Sequence, residues 1–232
     1  MVFSFRDTIL TRMEGFLLID KPAGITSHDV VNRVRRLTGE RRVGHAGTLD
    51  PFATGLLIVG VGRAATREME KLVGLDKTYE AVFVLGARSD TDDRTGKIES
   101  APIRIPPTPP NPPSGRGGIS LLQGVLHRFV GEIEQVPPAY SAIKIGGKKM
   151  YEEARKGKPM EAKARHVTIY SIELDNNLPP TPPNPPSGSG GIVDVSLIIH
   201  CSSGTYIRAL ARDLGAALGG GGYVEELRRT AI

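Results

Sequence analysis

Apolar positions recur along the chain with two different periods, and the periods divide it into elements. Gly15–Asp20 (GFLLID) is a short apolar run that suits a buried strand. The spacing then changes: Val30, Val31, Val34 and Leu37 recur on one face of a helix, with Ser27 as its cap and Gly39 as its stop. Residues 40–55, rich in glycine and charge, read as a loop into a second buried strand, Leu56–Gly62. Tyr79, Ala81, Phe83 and Leu85 alternate with more polar neighbours, as a half-buried strand does. Val193, Val195, Leu197 and Ile199 do the same against Asp194, Ser196 and His200. Ile207, Leu210, Ala211, Leu214 and Leu218 then carry a helix.

The connections between these strands are unequal, and several are short enough for hairpins. The pattern therefore predicts an α/β protein of the α+β kind, with a mixed, largely antiparallel central sheet flanked by helices. Two segments break it. Residues 106–118 (PPTPPNPPSGRGG) and 179–191 (PPTPPNPPSGSGG) differ only at Arg116 and Ser189. Their flanks share no period, so they read as a duplicated insert and not as a solenoid. Proline-rich runs favour extended polyproline geometry and build no core, so both blocks are expected as loop insertions decorating one sheet domain, residues 1–232. The second block would sit at the tip of a hairpin. The PxxP spacings also admit a proline-rich adaptor that binds a partner through both blocks.

Composition narrows the class. In 232 residues, 30 Lys and Arg stand against 25 Asp and Glu, a formal charge of +5 that is compatible with a nucleic-acid partner. No apolar run approaches the roughly 20 residues needed to cross a bilayer, so no membrane span is expected. The first fifteen residues carry Arg6 and Arg12 within their apolar stretch and make a poor signal peptide, which points to the cytoplasm. The single cysteine, Cys201, cannot close an internal disulfide, and the five histidines show no zinc spacing.

Three clusters could carry chemistry. The first, Gly44–Gly55 (GHAGTLDPFATG), sets one carboxylate, Asp50, among glycines that permit tight turns; on residue types alone, Asp50-Pro51 is first of all a turn. The second, Cys201–Arg208 (CSSGTYIR), lies at a strand-to-helix junction. Arg208 and Arg212 are one helical turn apart there, the spacing of an ordinary solvated face. The third is Lys77–Ala81 (KTYEA), in which Tyr79 suits a sheet aromatic equally well. No Walker, GxGxxG or nucleophile-elbow pattern occurs.

Taken in order, the motifs DKPAGITS (20–27), GHAGTLDPFATG, KTYEA, GARSDTDDRTG (86–96), QVPPAYSAIKIGGKKMYEEARKG (135–157), CSSGTYIRALARDLG and LRRTAI resemble the TruB-type tRNA pseudouridine synthases. The resemblance runs from about Gly15 to Ile232, interrupted only by the proline blocks. It corresponds to the catalytic part of the family, without the small C-terminal PUA-like RNA-binding domain that members usually carry. It implies the pseudouridine synthase fold and an isomerase that converts uridine 55 in the T loop of tRNA to pseudouridine. The N1 glycosidic bond breaks, the base turns, and the bond reforms at C5. Such chemistry needs no metal, organic cofactor or small-molecule cosubstrate.

By the same resemblance Asp50 is the catalytic carboxylate, Arg208 the guanidinium that pairs with it, and Tyr79 the ring that stacks on the target base and serves the C5 proton. An arginine suits that pairing because its charge persists when buried and its fork can hold a carboxylate. His45 matches the histidine that fills the loop as the base flips out, at a cost of roughly a few kcal/mol. Tyr206 matches a pocket wall, and Lys21 and Leu227 match further positions near the site. Arg41, Arg42, Lys144, Lys148 and Lys149 are the expected phosphate contacts to the T-arm stem-loop. A monomer is the default state. Ser203 stands where the family often has lysine, and Ser89 where it usually has threonine. Two further readings accompany this one: a non-catalytic RNA-binding protein or tRNA-folding chaperone, and an RNA-guided relative that modifies ribosomal RNA.

Overall fold

The structure is a computed structural model and describes residues 14–103, 117–141, 143–158, 160, 162–175 and 191–232. The leading segment and the two proline blocks, apart from Gly117, Gly118 and Gly191, lie outside the described residues. In chain order the elements are β1 (Gly15–Lys21), α1 (Ser27–Thr38), β2 (Val43–Ala46), β3 (Thr54–Val61), α2 (Gly62–Val73), β4 (Lys77–Leu85), β5 (Ala87–Ser89), β6 (Ile98–Ser100) and α3 (Gly117–His127). There follow β7 (Gly131–Gln135), β8 (Lys144–Ile145), β9 (Lys148–Lys149), α4 (Met150–Arg155), β10 (Arg165–Leu174), β11 (Val193–Cys201), α5 (Ile207–Ala217) and β12 (Gly222–Ala231). The chain divides into two units. One runs to Tyr79 and takes in Leu227–Ile232; the other is Glu80–Glu226, so β4 and β12 each contribute to both.

In the first unit, β1 and β2 pair antiparallel with β3, and the end of β12 runs parallel to it, Arg229 opposite Gly55. Val30, Val31 and Val34 of α1 close a core with Val43, Leu57, Val59 and Val61. Several details differ from the sequence reading. Strand β1 is an edge strand with alternating burial, and Phe16 and Leu18 are exposed. An apolar run alone does not distinguish two covered faces from one. The cap of α1 is Thr26 and not Ser27. The Thr26 hydroxyl accepts from Asp29 N–H at 3.0 Å while Asp29 accepts from Thr26 N–H at 2.9 Å, a capping box. Leu37 is exposed and Thr38 buried in its place, because a period of 3.6 carries the buried row from Val34 to residue 38. The expected loop 40–55 contains strand β2.

The second unit orders its strands β12–β4–β11–β10–β7. Strand β7 pairs antiparallel with β10, Gln135 opposite Arg165, and β10 pairs antiparallel with β11, Leu174 opposite Leu197. The connection that carries the second proline block thus joins the two arms of a hairpin. In its second half β4 is buried on both faces, Ala81 to Leu85, where alternation had pointed to a half-buried strand. Strand position explains this, since a central strand can be covered on both sides whatever its sequence period. Helix α5 lies close against the start of β12: a Cβ on Gly222 would fall 2.2 Å from the Ala211 carbonyl oxygen, so only glycine fits. The expected mixed, largely antiparallel arrangement with flanking helices is what both units show.

Candidate active site

In the first unit, Asp50 opens a tight turn, its carbonyl accepting from Ala53 N–H at 3.1 Å. The turn expected from Asp-Pro is therefore present, and it holds the carboxylate residue half-buried. Its neighbours fix it. Ser27 donates to the Leu49 carbonyl at 3.2 Å and accepts from Leu49 N–H at 2.9 Å, and Gly24 N–H donates to the Pro51 carbonyl at 2.8 Å. Lys21 is fully buried, with its ammonium donating to the carbonyls of Pro22 and Ile25 at 2.9 Å and of Pro51 at 3.4 Å. Burial pushes its pKa below the ordinary lysine range, and the nearby Asp50 carboxylate partly offsets this.

His45 stands in β2 opposite Val59, with its Nδ1 buried and without a hydrogen-bond partner. Burial first, then the charges of Arg229 and His28, lowers its pKa, so the imidazole is neutral near pH 7. Tyr79 is buried in β4. Leu227 is buried as well, and its carbonyl accepts from the Thr54 hydroxyl at 3.5 Å.

The other two expected residues, Tyr206 and Arg208, belong to the second unit. Arg208 is 4% exposed, so the solvated-face reading is overturned for it, while Arg212 is half-buried. Its Nη1 donates to the Thr91 carbonyl at 2.9 Å and to Asp93 Oδ2 at 3.4 Å, and its Nη2 to the Tyr140 carbonyl at 3.0 Å. Arg212 reaches Asp92 Oδ2 at 3.0 Å, Asp213 Oδ1 at 2.9 Å and the Val136 carbonyl at 2.8 Å. Asp93 also accepts from Thr91 Oγ1 and Thr95 N–H, both at 2.9 Å, which ties the 91–95 turn to the Arg208 head group. Asp92 has a left-handed backbone, φ 58°, and burial pushes its pKa up to about 6 against the pull of Arg212 and Arg208. Ser89 donates to the Asp93 carbonyl, so serine keeps the hydroxyl that a threonine would supply.

Three residues of evident structural weight escaped the sequence reading: Asp93, Gln135 and Arg229. All lie inside the quoted motifs. Their partners, however, are 115, 71 and 182 positions away, beyond any local pattern. No group of three or more His, Cys, Asp or Glu side chains among the described residues could hold a metal, and no described helix is long and apolar enough to cross a membrane.

This fold has counterparts among known proteins. One chain of a solved Cbf5–Nop10–Gar1 complex superposes with a TM-score of 0.62 at 29% identity, over 93% of this chain and 48% of that one. The model of the TruB family pseudouridylate synthase N-terminal domain matches residues 35–207. The fold and the matched region thus define the class as pseudouridylate synthase. Two proteins called tRNA pseudouridine synthase B lie nearer in sequence. That of Thermobifida fusca (strain YX) is 48% identical over 219 residues, 94% of this chain and 69% of the relative. That of Arthrobacter sp. (strain FB24) is 43% identical over 220 residues, 95% of this chain and 66% of the relative. The chain spans about two thirds of the length of these curated relatives. It belongs to the TruB family.

Proposed function

We propose that this chain isomerises uridine 55 in the T loop of tRNA to pseudouridine. The observation that carries the reading is the setting of Asp50: one half-buried carboxylate residue in a backbone-anchored turn, with the buried Lys21 ammonium near enough for the two charges to interact. A carboxylate that must stay ionised in a pocket closed by RNA needs such positive surroundings. Asp50 acts on the ribose of the target nucleotide, either as a nucleophile at C1′ or by taking a sugar proton. The family resemblance gives Arg208 the task of keeping that carboxylate charged, Tyr79 the stack on the base and the C5 proton, and Tyr206 and Leu227 the pocket wall. His45, neutral and with an unmatched ring nitrogen, suits the place vacated by a flipping base.

The substrate is recognised by the shape of the T arm and by its splayed bases, with lysines 144, 148 and 149 on and beside the β8–β9 hairpin among the phosphate contacts. The same reading makes the protein a cytoplasmic monomer that needs no guide RNA. The test is a T-arm hairpin carrying 5-tritiated uridine, incubated with the chain and with its Asp50→Asn variant. Tritium release that depends on Asp50, without guide RNA, is expected. RNA binding without release, from hairpin and intact tRNA alike, would leave the non-catalytic RNA-binding reading in its place.

A further inference from the structure

Gln135 ends strand β7 and is fully buried. Its side-chain amide meets the main chain of Tyr206 at both polar groups: Oε1 accepts from Tyr206 N–H at 2.8 Å, and Nε2 donates to the Tyr206 carbonyl at 3.1 Å. That pairing is directional, because an amide has one donor end and one acceptor end. Tyr206 is also the N-cap of α5, with φ −98° and ψ 105° and no side-chain cap bond, and its carbonyl accepts the first helical bond from Leu210 N–H at 3.1 Å. Arg165, the residue opposite Gln135 in the β7–β10 ladder, holds its guanidinium 5.4 Å from the centre of the Tyr206 ring. One ladder position therefore grips Tyr206 twice, Gln135 at the backbone and Arg165 at the ring.

We propose that Gln135 is a positioning residue for the isomerisation. It fixes the backbone of Tyr206, and through it the entry of the helix that carries Arg208 two residues later. The inference rests on the proposed function above and deepens it. The reacting groups of an isomerase of this kind must keep their places while the freed base turns, and a misplacement of about 1 Å can cost about 100-fold in rate. A side-chain clamp suits this junction because the four leading N–H groups of a helix lack internal partners.

Gln135→Leu removes both hydrogen bonds. Gln135→Glu keeps the shape but turns the donor end into an acceptor that faces the Tyr206 carbonyl. With the tritiated T-arm hairpin, both variants are expected to lose kcat by about 100-fold with KM within about twofold of the parent. Gln135→Glu should recover part of its rate as pH falls from about 8 to about 6, since a protonated carboxyl regains a donor. Amide exchange measured by NMR should show the Tyr206 N–H exchanging faster in Gln135→Leu. If circular dichroism shows both variants unfolded, Arg165→Gln tests the ring grip alone; a kcat loss of roughly fivefold is expected, the scale of one cation–π contact.

Folded Gln135 variants with kcat unchanged, an unaltered Tyr206 exchange rate, or an indifferent Arg165→Gln would each overturn the clamp while leaving the enzyme assignment intact. A parent chain that binds RNA without releasing tritium would remove the proposed function, and this inference with it.

Discussion

Arg229 donates from Nη2 to the carbonyl of Gly47 at 3.1 Å, across 182 residues of chain. Its Nε reaches the carbonyl of Leu56 at 2.8 Å, so one buried guanidinium ties both ends of the segment that carries Asp50. Arg229→Met would remove the hydrogen bonds to both carbonyls, and the relief of burying one charge less only partly offsets this. A net loss of about 2 kcal/mol is expected by urea denaturation. A variant as stable as the parent would show that the brace contributes nothing.

Gly55 is the position where this brace leaves least room. It has φ 99°, and a Cβ there would lie 2.2 Å from the Arg229 carbonyl oxygen. Gly55→Ala should therefore cost at least about 2 kcal/mol, a strained backbone and a clash acting together. A thermal melt within a degree of the parent would contradict both arguments.

At the start of α1, two adjacent hydroxyls do different work. Thr26→Ala removes the cap of α1 and should cost about 1 kcal/mol without altering the Asp50 turn. Ser27→Ala strands the buried Leu49 N–H and carbonyl and should also loosen residues 49–51, which limited proteolysis would report. Equal protease resistance in the two variants would remove the distinction.

Asp92 sets a pH dependence whose sign can be fixed. Its folded pKa of about 6 lies above its unfolded value, so the fold favours the protonated form. That contribution is fully present below about pH 4 and disappears as pH rises through about 6. Asparagine tolerates the left-handed backbone and does not titrate. Relative to the parent, Asp92→Asn should gain stability on the order of 2 kcal/mol between pH 4 and pH 7.5. A change in the opposite direction would mean that the Arg212 pair outweighs burial.

Arg208→Lys is the conservative charge swap with the most to lose. A lysine cannot reach the Thr91 and Tyr140 carbonyls and Asp93 together, as the guanidinium fork does. Tritium release from the T-arm hairpin should fall by about 100-fold or more, with RNA binding retained. Activity near that of the parent would show that charge alone suffices at this position.

Local pattern carried much of this. Val30, Val31 and Val34 lie on the buried face of α1, Gly39 stops it, and Ile207, Leu210, Ala211 and Leu214 are buried in α5, because helical period and turn chemistry are properties of neighbouring residues. The motif order from Asp20 to Ile232 sufficed for the family. Thr26 and Ser27 are both good caps on paper; the Thr26–Asp29 capping box and the engagement of Ser27 with Leu49 decide between them. Phe16 and Leu18 look like core residues until β1 proves to be an edge.

The sequence by itself determined the α+β class, the family and the residue types offered for chemistry, since these depend on spacing and on ordered motifs. Tertiary structure alone decided which polar groups are buried and what satisfies them: Arg208 on Asp93, Gln135 on the Tyr206 backbone, Arg229 on Gly47 and Leu56. The physical reason is that a buried hydrogen bond is set by where distant segments meet. Neither its donor nor its acceptor carries a mark of the other in the chain.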